Sequence, residues 1–236
     1  MSMKRGLSCL ALATVACAPG SKDTPHPSLT RTGALATDTS EASRRPTVLF
    51  IGTSLTAGYG LPSDQAFPAL VQRMADSAGI PILAINVGVS GETTSGALHR
   101  ISWVLRTPAD VVVLETGAND GLRGLPIDAA RGNIAAIVDS VKRAKPAISL
   151  VLVQMEAPPN MGRSYCTAFH DMYGQIARSK HVLLLPFLLD SVAGRSELIQ
   201  GDGLHPNEGG EHIVARNVWR GIQPIIRSLY GRVAPE

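Results

Sequence analysis

The sequence predicts an α/β fold, a three-layer α/β/α sandwich built on a five-stranded parallel sheet. The first observation is that, from residue 47 onward, short apolar runs alternate with segments whose apolar residues recur at helical spacing. The second is that several of these runs end in polar, glycine-rich segments. The 236 residues, 44% of them hydrophobic, can form one sizeable core. We therefore expect one folded domain, at residues 47–233.

The first βα unit begins with the apolar run Thr47–Gly52, which we interpret as a buried strand. A helix follows after a loop, because Phe67, Leu70 and Met74 lie on one helical face before Gly79 ends it. The run Ile82–Val87 predicts the second strand.

The middle of the domain is predicted to contain two helices and a central strand. A helix that Thr93 or Thr94 could cap ends at Pro108. The run Val111–Leu114 is continuously apolar and rich in valine, which is typical of a central strand covered on both faces. The next helix is expected at about Ile127–Ala144.

The last part of the domain repeats the alternation. It contains, in order, a strand at Ile148–Met155, a helix at about Tyr165–Ser179, a strand at Val182–Leu185 and a helix from near Pro206 to about Leu229. Proline suits a first helical turn, which supports the start of the final helix.

The N-terminus has the pattern of a bacterial export signal, at residues 1–17. Lys4 and Arg5 precede a short apolar run, Gly6–Ala16, that is too short to span a bilayer. Two processing routes compete. The segment Thr14–Cys17 resembles a lipobox, which would make Cys17 the lipidated first residue, whereas Ala16–Ala18 fits the small-x-small site of ordinary signal peptidase. Residues 18–46 lack apolar periodicity and are predicted to be a disordered linker. The domain is thus expected to be periplasmic, with a membrane tether only if Cys17 is lipidated.

The charge and the cysteine content exclude two features, a nucleic-acid binding surface and an internal disulfide. The formal net charge is +3 and the basic residues are scattered, so we expect no nucleic-acid surface. Cys166 would be the only cysteine in a soluble mature form, which excludes an internal disulfide. We interpret Cys166 as a packed thiol rather than a nucleophile.

The loops that follow the strands carry the candidate site. In an open parallel sheet, ligands bind at the carboxyl ends of the strands. Ser54 follows the first strand, Gly88 the second and Asn119 the third, and the segment Asp202–His205 follows the last. We expect these side chains to converge at one edge of the sheet.

These residue types suit acyl transfer. A serine nucleophile needs a base within hydrogen-bond reach, a carboxylate that orients the base, and N–H donors for the oxyanion. Ser54 is the candidate nucleophile, His205 the base and Asp202 the orienting acid. The candidate oxyanion donors are the amides of Ser54 and Gly88 and the side chain of Asn119. Each residue taken alone has a simpler structural explanation, such as a helix cap for Ser54, but their convergence is harder to explain without a function.

Four segments together resemble the SGNH, or GDSL, hydrolases, in particular the periplasmic thioesterase I, lysophospholipase and arylesterase branch. They are Gly52–Gly60 (GTSLTAGYG), Asn86–Thr93 (NVGVSGET), Gly117–Gly124 (GANDGLRG) and Asp202–Asn207 (DGLHPN). The resemblance covers about residues 47–230.

The resemblance implies a flavodoxin-like sheet, a Ser-His-Asp triad, and hydrolysis of esters, thioesters or lysophospholipids without metal or cofactor. It also implies that Leu122 and Arg123 belong to a substrate-binding loop and that Pro158 lines the acyl site. We expect a monomer acting on small-molecule acyl substrates. One departure is Thr53, because the family pattern has Gly-Asp-Ser where this chain has Gly-Thr-Ser; the local hydrogen bonding at the serine turn is therefore expected to differ.

Other functions are compatible with parts of this sequence pattern. A carbohydrate O-acetyl esterase would use the same residues, and a lipoprotein that binds acylated ligands would keep the fold without turnover. A metal site near His205 and His212 is disfavoured, because the chain lacks a His-Glu-x-x-His helix and a cysteine cluster. Ser90 is a poor nucleophile candidate because it lacks the Gly-x-Ser-x-Gly pattern.

Overall fold

The computed structural model describes residues 45–231, and the sheet it contains confirms the predicted fold class. All four strand pairings are parallel, and the strand order is β2-β1-β3-β4-β5, the flavodoxin-like order. The strands are β1 (Thr47–Ile51), β2 (Leu83–Asn86), β3 (Val111–Leu114), β4 (Ser149–Gln154) and β5 (Leu183–Phe187). The predicted export signal, Cys17 and residues 18–44 of the predicted linker lie outside the described residues.

Seven α-helices are present in residues 45–231. They are α1 (Ser54–Ala57), α2 (Phe67–Ser77), α3 (Thr94–Val104), α4 (Ala118–Leu122), α5 (Ile127–Ala144), α6 (Arg163–Lys180) and α7 (Glu208–Gly231). The predicted bounds of α5 are confirmed at both ends. Helices α1 and α4 were not predicted, because a single turn is too short to show helical periodicity. Both occupy loops that follow central strands.

The core follows the position of each strand in the sheet. Every residue of β1 and β3 is buried, whereas the edge strands β2 and β5 are partly exposed. Helix α2 packs against α7, and α5 packs against both α3 and α6. The carboxyl ends of β1 and β3 therefore lie at the centre of the sheet, next to each other. Within the described chain, no helix is both long enough and apolar enough to cross a membrane.

A buried carboxyl group joins α7 to α2. Glu211, in the first turn of α7, is 2% exposed, and its Oε2 accepts a hydrogen bond of 2.7 Å from the backbone N–H of Phe67 at the start of α2. Burial is the main cause that raises the pKa of Glu211 from 4.5 to about 8. The folded protein thus binds a proton at Glu211 over a pH range in which the unfolded chain has released it.

A Glu211→Gln variant should be more stable than the wild type at alkaline pH. The stabilisation from protonated Glu211 is full below pH 4.5 and is lost as the pH rises toward about 8. Glutamine keeps an oxygen for the Phe67 amide and does not titrate. We expect similar melting temperatures at acidic pH and a rise of roughly 5 °C in the variant above the pKa of Glu211. Glu208→Gln, an exposed change in the same helical turn, should show no such pH-dependent gain, and equal effects of the two changes would contradict the assignment.

Candidate active site

Ser54 lies at the start of α1, directly after β1. Thr53 is the N-cap residue, and Gly58 ends the helix with a φ of 74°, a conformation that favours glycine. The side chain of Asn86, at the end of β2, donates to the Thr56 carbonyl at 2.7 Å. The serine turn is therefore held from its N-cap and from the neighbouring strand.

A carboxyl group beneath the serine turn was not predicted from the sequence. Glu115 directly follows β3 and is fully buried. It accepts hydrogen bonds from the Thr53 amide at 2.8 Å, from the Thr53 hydroxyl at 3.0 and 3.1 Å, and from the Thr56 hydroxyl at 2.9 Å. Desolvation raises the pKa of Glu115 above 4.5, although these hydrogen bonds oppose the shift. Glu115 thus anchors the residues on both sides of Ser54.

The threonine at position 53 is explained by this carboxyl group. Thr53 is 0% exposed, and its hydroxyl is used by Glu115. An aspartate at this position would place a second carboxyl group beside the first in a buried site. Two such groups cannot both ionise without a large cost, so the pair would retain a proton.

A Thr53→Asp variant should therefore lose more stability at high pH than at low pH. The carboxyl pair holds its proton in the folded state and releases it on unfolding, so the stability falls as the pH rises. We expect the decrease in melting temperature relative to wild type to be roughly 5 °C larger at alkaline than at mildly acidic pH. Thr53→Asn is the matched neutral control, and its decrease should not depend on pH. If the Asp and Asn variants behave alike, the two carboxyl groups do not interact.

Ser54, His205 and Asp202 form a continuous hydrogen-bonded chain. His205 Nε2 lies 2.8 Å from Ser54 Oγ, and His205 Nδ1 lies 2.6 Å from Asp202 Oδ2. The other oxygen of Asp202 accepts from the amides of Leu204 and His205 at 2.9 and 3.0 Å. Gly203 makes this tight turn with a φ of 75°. The three predicted catalytic residues are brought together in the order that acyl transfer requires.

Asp202 is well suited to remain ionised. Its pKa is lowered from 3.8 to about 2, mainly by the hydrogen bond from the His205 side chain and then by the bonds from the two backbone amides. At neutral pH a carboxylate therefore faces Nδ1 of His205. That arrangement leaves Nε2 free to accept the proton of Ser54.

One glutamine connects the histidine loop to the serine turn. Gln200 Nε2 donates to the carbonyl of Tyr59 at 2.7 Å and to that of Pro206 at 2.8 Å. The ring of Tyr59 also lies against the His205 imidazole, with centroids 4.6 Å apart. These contacts fix the position of His205 relative to Ser54.

The predicted oxyanion donor Gly88 is not positioned for that role. Its amide donates to Asn86 Oδ1 at 2.9 Å, and a Cβ at Gly88 would lie 2.4 Å from the Ala57 nitrogen, so this glycine packs on the serine helix. Gly91, three residues later, lines the cavity beside Ser54 and Asn119. Within residues 45–231, the amides of Gly91 and Ser54 have no hydrogen-bond partner. The amide of Gly88 is therefore already used within the protein, whereas that of Gly91 has no partner among the described residues.

The Asn119 side chain holds the loop that carries Gly91. Its Nδ2 donates to the Glu92 carbonyl at 3.0 Å with one of two hydrogens, so the other remains for a ligand. The Glu92 carboxylate forms a bidentate pair with Arg100 at 2.6 and 2.7 Å. Arg123 Nη2 donates to the Gly91 carbonyl at 3.0 Å and does not line the cavity. Arg123, predicted to bind substrate, instead supports the loop that carries Gly91.

A cavity of about 570 Å³ opens beside Ser54 and His205. Leu122 and Pro158, both predicted to contact substrate, line it. Its walls are mostly apolar, with further contributions from Leu55, Ala118, Met155, Ala157, Pro159, Phe187, Leu189, Ala193, Ile199 and Leu204. A cavity of this composition can hold a hydrocarbon chain next to the serine hydroxyl.

Within the part of the chain that the structure describes, neither Cys166 nor a metal site forms part of this cavity. Cys166 is a free thiol whose Sγ donates to the Pro158 carbonyl at 3.3 Å, and it does not line the cavity. At the metal site that the sequence disfavoured, His205 contacts Ser54 and Asp202, and the nearby Glu211 carboxyl group bonds instead to the Phe67 amide at the start of α2. Among residues 45–231, no group of three or more His, Cys, Asp or Glu side chains is arranged to hold a metal ion.

Known proteins resemble this chain over about three quarters of its length. A family model described as the GDSL-like lipase/acylhydrolase family matches residues 50–213. An arylesterase of Vibrio mimicus is 35% identical over 181 residues, which cover 76% of this chain and 88% of the relative. The thioesterase 1/protease 1/lysophospholipase L1 of Escherichia coli K12 is 32% identical over 189 residues, covering 80% of this chain and 88% of the relative.

A solved structure gives the same similarity in three dimensions. The psychrotrophic esterase EstA from Pseudoalteromonas sp., described as inhibited by monoethylphosphonate, matches with a TM-score of 0.73 and 33% identity. The match covers 77% of this chain and 99% of that one.

Proposed function

The chain belongs to the GDSL-like lipase/acylhydrolase family and is an ester hydrolase, and from this premise we propose that it cleaves acyl esters, thioesters or lysophospholipids through an acyl-enzyme on Ser54. The observation that carries the proposal is the chain of hydrogen bonds from Ser54 through His205 to Asp202, at 2.8 and 2.6 Å, at the mouth of an apolar cavity. These distances are within the range required of a nucleophile, a base and its orienting group.

In the first half of the reaction, Ser54 Oγ attacks the carbonyl carbon of the substrate while its proton moves to His205 Nε2. The imidazolium that forms is stabilised by the Asp202 carboxylate. The tetrahedral intermediate then collapses, the bond from carbon to the leaving oxygen or sulfur breaks, and His205 returns the proton to the leaving group. Water, activated by His205, hydrolyses the acyl-serine in the second half and regenerates the hydroxyl.

The oxyanion is proposed to be held by the amides of Ser54 and Gly91 and by Asn119 Nδ2. The two amides are unpartnered within the described chain, and Asn119 is oriented by its bond to the Glu92 carbonyl. Such preorganised donors stabilise the negative charge as it develops in the transition state. Gly91 takes the place that the motif assigned to Gly88.

Replacing Asn119 by Ala should reduce kcat about a hundredfold to a thousandfold with little change in KM, as expected for loss of one oxyanion donor. Steady-state hydrolysis of a p-nitrophenyl acyl ester measures both constants. Replacing Asn133, which donates to the Thr94 hydroxyl behind α3, by Ala is a control for loss of an amide near but outside the cavity. Equal effects of the two changes would show that Asn119 acts only through the fold.

A fluorophosphonate probe tests the proposed nucleophile directly. Because EstA is described as inhibited by a phosphonate, we expect covalent labelling of this protein, with the modified peptide mapped to Ser54 by mass spectrometry. A protein that binds a fluorescent acyl ligand but is not labelled would be a binding protein instead, and the hydrolase proposal would be wrong.

The cavity should bind acyl chains of more than two carbons. Its apolar walls bury hydrocarbon, at about 0.8 kcal/mol per CH₂ group. A panel of p-nitrophenyl esters of increasing acyl length should therefore show kcat/KM rising from acetate toward longer chains. Preference for acetate, extended to acetylated carbohydrates, would indicate a carbohydrate O-acetyl esterase.

We also propose that the protein acts as a monomer after export to the periplasm, with a membrane tether if Cys17 is lipidated. The charged and apolar pattern of residues 1–17 supports export. Mass spectrometry of the mature N-terminus distinguishes the two routes, because an acylated Cys17 adds the mass of its lipid chains. Size-exclusion chromatography with light scattering measures the oligomeric state.

A further inference from the structure

The cavity next to Ser54 contains one carboxylate that the proposed reaction does not use. Glu156 lies in the loop after β4, and among the described residues that line this cavity it is the only Asp or Glu. No Lys or Arg is present in the same lining. A mostly apolar chamber therefore contains a single acidic side chain.

The position of Glu156 is fixed by its neighbours. Its Oε1 accepts from Gln154 Nε2 at 3.0 Å and lies 2.7 Å from His170 Nδ1. Gln154 is the last residue of β4 and is 8% exposed, so this partner of Glu156 is packed against the sheet. The His170 side chain is 58% exposed and forms an ion pair with Glu156 when it is protonated. The second oxygen, Oε2, has no hydrogen-bond partner within residues 45–231. One oxygen is used for positioning and the other is available to a ligand.

The strand order indicates which part of the substrate meets Glu156. Ser54 follows β1, Asn119 follows β3 and Glu156 follows β4, so the oxyanion donor Asn119 lies between the nucleophile and Glu156 along the sheet edge. The leaving group must lie next to His205 Nε2, which returns the proton to it. The acyl chain is the part that can extend past Asn119 along the apolar walls.

We propose that Glu156 is a specificity-determining residue that selects acyl groups with a cationic end. A positive charge that reaches Oε2 gains an ion pair at a side chain that is 31% exposed, whereas a carboxylate there is repelled. An alkyl end gains only apolar contact and must desolvate the glutamate. This inference rests on the proposed hydrolase function and names the acyl class that the same site prefers.

The effect should fall on binding rather than on the chemical step. Glu156 contacts neither Ser54 nor His205, whose partners are each other, Asp202 and Tyr59. An interaction that is equally strong in the ground and transition states changes KM and leaves kcat nearly constant. A purely structural role would instead lower kcat for every ester.

The test compares two p-nitrophenyl esters with nearly the same shape. One carries a 6-(trimethylammonio)hexanoyl group and the other its neutral carbon isostere, 7,7-dimethyloctanoyl. We compare the ratio of kcat/KM for the cationic ester to kcat/KM for the neutral ester in each protein. This ratio should be about twofold to fivefold higher in the wild type than in Glu156→Gln, which is the size of a partly exposed ion pair. The difference should appear in KM. Asp171→Asn, an exposed charge change beside His170, should keep the wild-type ratio.

A charge reversal provides a second test. Glu156→Lys should reverse the preference and favour the p-nitrophenyl monoester of heptanedioate, while its turnover of the neutral ester reports that the variant is folded. An unchanged ratio in both Glu156 variants, with the neutral ester still hydrolysed, would overturn the proposal for Glu156 alone. Choline esters carry the cation in the leaving group instead. If the Glu156 variants lost their preference for the cation only with choline esters, the assignment of Glu156 to the acyl side would be overturned. Absence of turnover of every ester by the wild type would overturn the hydrolase function itself.

Discussion

A Ser54→Ala variant is expected to lose at least about 10⁴-fold in kcat on a p-nitrophenyl acyl ester. The hydroxyl is the group proposed to form the acyl-enzyme, and within residues 45–231 His205 Nε2 has no hydrogen-bond partner other than Ser54 Oγ, at 2.8 Å. Alanine keeps the backbone amide that is proposed to hold the oxyanion. The residual rate should therefore still exceed that of water, and binding of a substrate analogue should be retained.

The control for this prediction lies in the same cavity. Ser90 also lines the chamber, and Ser90→Ala should retain kcat within a few-fold because no base contacts it. Fluorophosphonate labelling and ester hydrolysis of both variants can be measured in one experiment. Wild-type activity in a folded Ser54→Ala protein, or a comparable loss in Ser90→Ala, would show that the nucleophile has been misassigned.

The sheet and the convergence of Ser54, His205 and Asp202 could be predicted because they depend on short-range sequence signals. The valine-rich run Val111–Leu114 marks a buried strand in any setting, and Gly203 between Asp202 and His205 marks a tight turn. Parallel topology then brings the loops after β1 and β3 together without further information. The prediction of these features required no knowledge of long-range contacts.

The motif alone could not show which glycine of the loop after β2 keeps an unpartnered amide. Gly88 and Gly91 lie three residues apart in the same loop, and both permit close backbone approach. The difference is made by Asn86, whose side-chain oxygen takes the Gly88 amide, and by Arg123, which holds the Gly91 carbonyl at 3.0 Å. These contacts involve side chains from β2 and from the residue after α4, and their direction is not encoded in the local pattern.

Glu115 was missed for a related reason. A glutamate after a run of buried residues is a signal, because an unpaired charge is rarely buried. Its partners, however, are Thr53 and Thr56, about sixty residues earlier, and the pairing of β1 with β3 brings them together. The departure at Thr53 and the buried carboxyl group are thus one structural feature, visible only when both strands are in place.

An Asp202→Asn variant is expected to lose about 10⁴-fold in kcat while its fold and KM are nearly unchanged. Asparagine can keep the shape of the turn, because its side-chain oxygen can still accept from the Leu204 and His205 amides. Its NH₂ group, however, would face Nδ1 of His205, where the carboxylate now lies 2.6 Å away. The imidazole would then place its proton on Nε2, and that nitrogen could no longer accept the proton of Ser54.

The pH dependence separates this explanation from a general loss of charge. The pKa of Asp202 is lowered to about 2, mainly by the His205 side chain, so the wild-type carboxylate stays ionised throughout the working range. The ratio of wild-type to Asp202→Asn activity should therefore be nearly constant from mildly acidic to alkaline pH. Asp190→Asn, an exposed change of the same type, should leave kcat unaffected. A loss below tenfold in Asp202→Asn would mean that His205 is oriented by its stacking on Tyr59 and its backbone contacts, and that Asp202 serves the turn rather than the reaction.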